Sequence, residues 1–159
     1  MLITLGAERT ACMSADARGA SWRTRRGAAP AHCDAGGDHA DMLYATQAQR
    51  SWSAVFADIT QAYQRHGHAE AWRDHHQGGP AGYGCRDWII TPESRGEVQP
   101  DTAVAWNPTL SGVKSEDTFL LTRSGLVPLT RSDSWPLIRL QRGDNTLELA
   151  GWLILPTSS

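Results

Sequence analysis

Lysine is nearly missing from this chain: among 15 basic residues, Lys114 is the only lysine. The skew toward arginine reads as coding composition, and it singles Lys114 out. The formal net charge is -2 at pH 7, so there is no basic footprint of the kind that binds nucleic acid. Cysteine is scarce, odd in number and scattered, at Cys12, Cys33 and Cys85. That excludes a disulfide framework and a cysteine-based zinc site. No apolar run approaches the length of a transmembrane helix. The apolar start, Met1 to Gly6, is too short for a signal peptide and has no basic flank. These absences lead to the expectation of a cytoplasmic, soluble protein without a membrane or nucleic-acid partner.

A further absence is local. Residues 11 to 40 contain no Leu, Ile, Val or Phe and are dominated by Ala, Gly, Arg, Asp and Ser. Such a stretch has little apolar surface to offset the entropy of ordering it. The expectation is an irregular, low-core segment over 1–40, followed by one domain over 41–159, with the run Arg23 to Arg26 a solvated patch. The change at residue 41 is abrupt enough to suggest a frame change or wrong start in the upstream part of the gene, which sequencing of the locus would test.

What is present becomes informative from Asp41, a plausible cap for a helix carrying Met42, Leu43 and Tyr44. Trp52, Val55, Phe56, Ile59 and Tyr63 share one face at helical spacing. Ser51 suits the N-cap and Gly67 the stop, which predicts a helix over about 52–66. Strands are expected at Arg86–Thr91, Thr102–Trp106, Asp117–Thr122, Val127–Leu129, Ile138–Gln141 and Thr146–Leu149. Further short ones are expected at Leu2–Leu5 and Trp152–Leu155. Arg142-Gly143-Asp144-Asn145 is a hairpin signal. Helices first, then short strands joined by turns, indicate an α+β fold with a largely antiparallel sheet. The seven tryptophans suit core and pocket walls.

Two stretches can carry chemistry. The first runs from His75-His76-Gln77-Gly78-Gly79-Pro80 through Tyr83 to Arg86-Asp87. Adjacent histidines on a strand point to opposite faces, so one is expected to face a pocket. The glycines allow close backbone approach, to a ligand or in a tight turn. The second runs from Trp106-Asn107-Pro108 to Lys114-Ser115-Glu116-Asp117-Thr118. Glu116 at a strand entry suits a hard-metal ligand, a general base or a solvated strand end. Asn107 can bond a substrate or a turn. Arg86 can hold a carboxylate bidentately or pair with Asp87.

Order and spacing of these stretches resemble the pita-bread metallopeptidase family of Xaa-Pro aminopeptidases, prolidases, methionine aminopeptidases and creatinase, in the C-terminal half of its domain. The resemblance spans about residues 42 to 155 and is strongest from Trp72 to Thr122. It implies a partial pita-bread fold, with helices packed on a curved, largely antiparallel sheet. It also implies a hydrolase of the aminopeptidase or dipeptidase class. His75, with His76 as the competing register, matches the family's metal-binding histidine, and Glu116 its last ligand. Asn107 stands where the family has another Glu, and the two upstream Asp ligands have no match. The site implied is His75, His76 and Glu116 as catalytic residues, His75 and Glu116 as residual metal positions, and Asn107, Arg86 and Tyr83 as substrate contacts. Two such ligands do not hold two metals, so no cofactor is expected in this chain. A divalent Mn, Co or Zn enters only if the set is completed. The alternative is a non-catalytic remnant or binding module that keeps the fold. The expected partner is a small peptide or small amide, with a homodimer as a further candidate.

Overall fold

The computed structural model describes residues 28–111, 113–142 and 144–151, and side chains from residue 35. Two helices, α1 (Ala28–Ala45) and α2 (Trp52–Arg65), are followed by eight strands: β1 (Gly78–Ala81), β2 (Thr102–Trp106), β3 (Thr109–Leu110), β4 (Val113–Lys114), β5 (Asp117–Thr122), β6 (Gly125–Pro128), β7 (Leu137–Arg142) and β8 (Asn145–Ala150). The main sheet is antiparallel throughout, in the order β1-β2-β5-β6, and β3-β4 and β7-β8 form separate hairpins. This is the expected α+β class. The strands expected at Leu2–Leu5 and Trp152–Leu155 lie outside the described residues. No helix among the described residues is long and apolar enough to cross a membrane.

Helix α2 forms as its pattern predicts. Ser51 Oγ accepts from Ala54 N at 3.2 Å, and Gly67 ends the helix at φ +85°. Trp52, Val55, Phe56, Ile59 and Tyr63 are all buried. They join Met42, Leu43, Val104, Trp106 and Phe119 in one core between the helices and the sheet.

Helix α1 corrects the sequence reading. Asp41 does not cap a helix; it lies inside one that starts at Ala28, so residues 28 to 40 are helical, not irregular. The reason lies in the small residues. Alanine is the strongest helix former, and small side chains let neighbours approach closely where large ones would fill space. A Cβ added at Gly36 would lie 2.7 Å from Ile138 Cδ1, and one at Gly37 would lie 3.1 Å from the His66 ring. Ala35 and Ala40 are fully buried. Close fit, not apolar bulk, gives this segment its packing. Asp41 instead bonds outward, to Arg65 of α2 at 3.1 Å and to Arg142 of β7 at 3.0 Å.

The segment Arg86–Thr91 is a second correction, since no regular strand forms there. Asp87 N bonds Pro80 O at 2.9 Å and Ile90 N bonds Gly78 O at 3.0 Å. Residues three apart thus meet partners two apart on β1. The extra residue breaks the ladder, as in a bulge, and leaves Trp88 and Ile89 exposed while Ile90 is buried. The segment still covers the outer edge of β1.

Candidate functional site

Sheet register determines what meets at one end of this fold. Gly78 of β1 pairs with Trp106 of β2, and Trp106 pairs with Asp117 of β5. The residues just outside these pairs, His75–Gln77, Asn107 and Glu116, therefore collect at the same edge. Asn107 N donates to Gln77 O at 3.0 Å, fixing the first two together. The β3-β4 hairpin pairs Thr109 with Lys114 and returns the chain so that Ser115 N bonds Pro108 O at 3.1 Å. Gly78 makes the approach possible. Its φ is +105°, and a Cβ there would lie 2.1 Å from Ala105 O and 2.8 Å from Asn107 Oδ1.

His75 and His76 do not lie on a strand with opposed side chains, as expected from sequence. They follow a single 3-10 turn, Ala71–Arg73, in an irregular approach to β1. Their rings lie together, with centroids 4.2 Å apart and planes at 36°. His75 Nδ1 lies 2.7 Å from His76 O and 3.3 Å from Asn107 Nδ2. His76 is exposed, yet partial desolvation of its ring, followed by the positive charge of its neighbours His75, Arg86 and Lys114, lowers its pKa; Glu116 acts the other way.

Glu116 is held on both oxygens. Arg86 Nη2 donates to Oε1 at 2.9 Å, and Lys114 Nζ lies 3.3 Å from Oε2. Arg86 therefore pairs with Glu116, not with its neighbour Asp87. Asp117 has a separate, structural role. It is buried, accepts from Thr130 Oγ1 at 2.8 Å and from Ala150 N at 3.0 Å, and so ties β5 to β8. Burial raises its pKa. Strand alternation sends the two adjacent carboxylates to different surroundings. Of the residues singled out by sequence, His75, His76, Arg86, Asn107 and Glu116 come together. Tyr83 does not join them, since its side chain is fully exposed on the loop after β1.

Three residues of this region escaped the sequence reading. Gln77 is buried, accepts from Tyr63 Oη at 2.7 Å, and donates to Trp72 O at 2.8 Å and to His75 O. Tyr63 Oη in turn accepts from Thr109 N at 3.1 Å. His39, on α1, is wholly buried, with Nδ1 2.8 Å from Ser115 Oγ and its ring edge-on to Phe119. Burial lowers its pKa to about 3, against a smaller upward effect from Glu116. Gln77 was legible as a lone amide inside a glycine-rich stretch. Tyr63 read only as core, and His39 lay in the segment that composition set aside.

The described residues at this edge do not by themselves make up a dinuclear metal centre. Among the described residues no group of three or more His, Cys, Asp or Glu is placed to hold a metal ion. The carboxylate that could ligate is instead occupied by two cations.

No protein-family model matches this chain, and no curated protein matches it. Solved structures do. Prolidase from Pyrococcus furiosus aligns with a TM-score of 0.55 at 18% identity, over 64% of this chain and 32% of the prolidase. An X-Pro aminopeptidase from Thermotoga maritima gives 0.54 at 14%, over 69% and 33%. Dipeptidase PepE from Mycobacterium ulcerans gives 0.56 at 15%, over 68% and 30%. The chain thus spans about a third of the length of these structures. At such identities the likeness shows the fold: an α+β arrangement consistent with part of the pita-bread architecture of these prolidases and dipeptidases.

Proposed function

We propose that this chain uses its part of an Xaa-Pro-peptidase-like fold as a metal-free binding site for a short peptide or small amide. The reading draws on the fold shared with prolidases and dipeptidases. The observation that carries it is the clamping of Glu116 between Arg86 and Lys114. A hydrolytic dinuclear centre needs several carboxylates free to neutralise two divalent cations and activate a water. Here the carboxylate is neutralised internally and Asn107 supplies an amide. His75 and Asn107 would contact the ligand's polar backbone, with Arg86 at its charged end.

A second reading is favoured by one observation. The pKa of His76 is lowered beside His75, which favours the neutral form that can accept a proton. On that reading the chain hydrolyses a small amide without metal, with His76 as the base. Metal content of the purified chain, with and without added manganese or cobalt, tests both readings, together with peptide binding and amide turnover in chelator. Two metal ions per chain would overturn both. Turnover in chelator that His76→Ala abolishes would select the second, and peptide binding without turnover the first.

A further inference from the structure

The charge at the edge where β1, β2 and β5 meet runs opposite to that of a cation site. Two cationic side chains, Arg86 and Lys114, face one carboxylate, Glu116. The two stacked histidines beside them add no negative charge. Arg86 is also incompletely used. One terminal nitrogen donates to Glu116 and the other to Cys85 O, while its Nε is enclosed and has no acceptor among the described residues. An enclosed guanidinium N–H without an acceptor is an unmet donor, which a ligand oxygen meets once the groups covering it shift. His39 Nε2 and Asn107 Oδ1 are likewise enclosed without a partner among the described residues. Asn107 Oδ1 is tucked against Gly78, whose added Cβ would lie 2.8 Å from it. Asn107 Nδ2 lies 3.3 Å from His75 Nδ1.

We infer that this edge binds a small oxyanion, a carboxylate or phosphate group of its ligand, with Arg86 as the principal contact and Lys114 and His76 lining the site. The inference rests on the reading of the site as metal-free. The planar fork of arginine matches two-oxygen groups and leaves a donor for the ligand while Glu116 orients the rest. Glu116 plays two opposed parts. It holds Arg86 in place, and it competes with the incoming anion for the same charge.

That opposition supplies the test. Titration calorimetry of the full chain at low salt uses sodium propionate, inorganic phosphate and manganese chloride as separate probes. At least one anion is expected to bind saturably at one site. Arg86→Gln should weaken it by about tenfold or more, the effect of losing one charge-assisted contact. Glu116→Gln should tighten it by about threefold or more by removing the competing charge. Arg86→Lys, which keeps the charge and loses the fork, should fall between, and serves if the Gln variant does not fold. The tighter of propionate and phosphate identifies the ligand group, and either supports the inference. Binding of neither anion, or anion binding indifferent to Arg86→Gln, would overturn the inference while leaving the metal-free reading intact. Stoichiometric manganese binding that Glu116→Gln removes would overturn that reading as well.

Discussion

Gln77 is the residue whose removal should cost this fold most for its size, and the cost can be worked from its partners. Its amide accepts from Tyr63 Oη and donates to the carbonyls of Trp72 and His75. Replacing it by Leu keeps the volume and removes all of these bonds. Each buried polar group left without a partner costs about 1–3 kcal/mol. Trp72 and His75 are partly exposed, so water can reach their carbonyls and shrink that part of the cost. A loss of about 3 kcal/mol is expected for Gln77→Leu. Tyr63→Phe strands Gln77 Oε1 and Thr109 N, and about 1–2 kcal/mol is expected. The two share one bond, so the double variant should be less destabilised than the sum, by about 1 kcal/mol or more. Urea unfolding followed by tryptophan fluorescence measures all the terms, provided the slope m stays constant. Additivity to within about 0.5 kcal/mol would refute the network and make Gln77 a space-filling residue only.

Other perturbations have equally definite expected outcomes. Gly78→Ala places a Cβ on Ala105 O at a positive φ, and should destabilise by about 3 kcal/mol or more through backbone strain; unchanged urea midpoints would remove the argument for close approach. Thr46→Val strands the buried Trp106 indole N–H, now 3.0 Å from Thr46 Oγ1, for about 1–2 kcal/mol, whereas Thr46→Ser should be nearly neutral. Asp38 is buried and its pKa is raised to about 6 by that burial, against the opposing bond to His66. Because the folded pKa lies above the unfolded one, its contribution is fully present below about pH 4 and is lost as pH rises through 6. Asp38 thus contributes a downward slope between about pH 4 and 6, while buried His39, its pKa lowered to about 3, contributes an upward one over the same range; Asp38→Asn should turn the measured slope upward relative to the parent chain, and an unaltered slope in that variant would remove Asp38 from the account.

The sequence made β2, β5, β6, β7, β8 and α2 legible because each rests on local chemistry: alternation, a serine cap, an arginine-glycine-aspartate-asparagine turn; β1, β3 and β4 were not among the expected strands, being short or built on glycine and proline. It made α1 illegible because composition was weighed by apolar bulk. Ala35, Ala40, Gly36 and Gly37 pack by allowing approach, and approach is a property of two surfaces that a single segment does not display. The failed strand at Arg86–Thr91 has the same origin. Trp88, Ile89 and Ile90 have the right residue types, but the register imposed by β1 admits only Ile90 to the interior.

The site divides along a similar line. That His75, Asn107 and Glu116 converge follows from the strand register once β1, β2 and β5 are neighbours. What Glu116 does there does not follow, because spacing says nothing about which cation answers it. Arg86 reaches it from 30 residues upstream and Lys114 from two, and neither is distinguishable in the chain from a solvated base. The single lysine of the sequence is thus informative for a reason its rarity alone did not reveal. It lies on the second oxygen of Glu116, and with Arg86 it makes that carboxylate part of an ion-pair cluster. Geometry of that kind favours anions over cations at this edge, which is why the charge response of Arg86 and Glu116 variants bears more directly on function than substitution of the histidines.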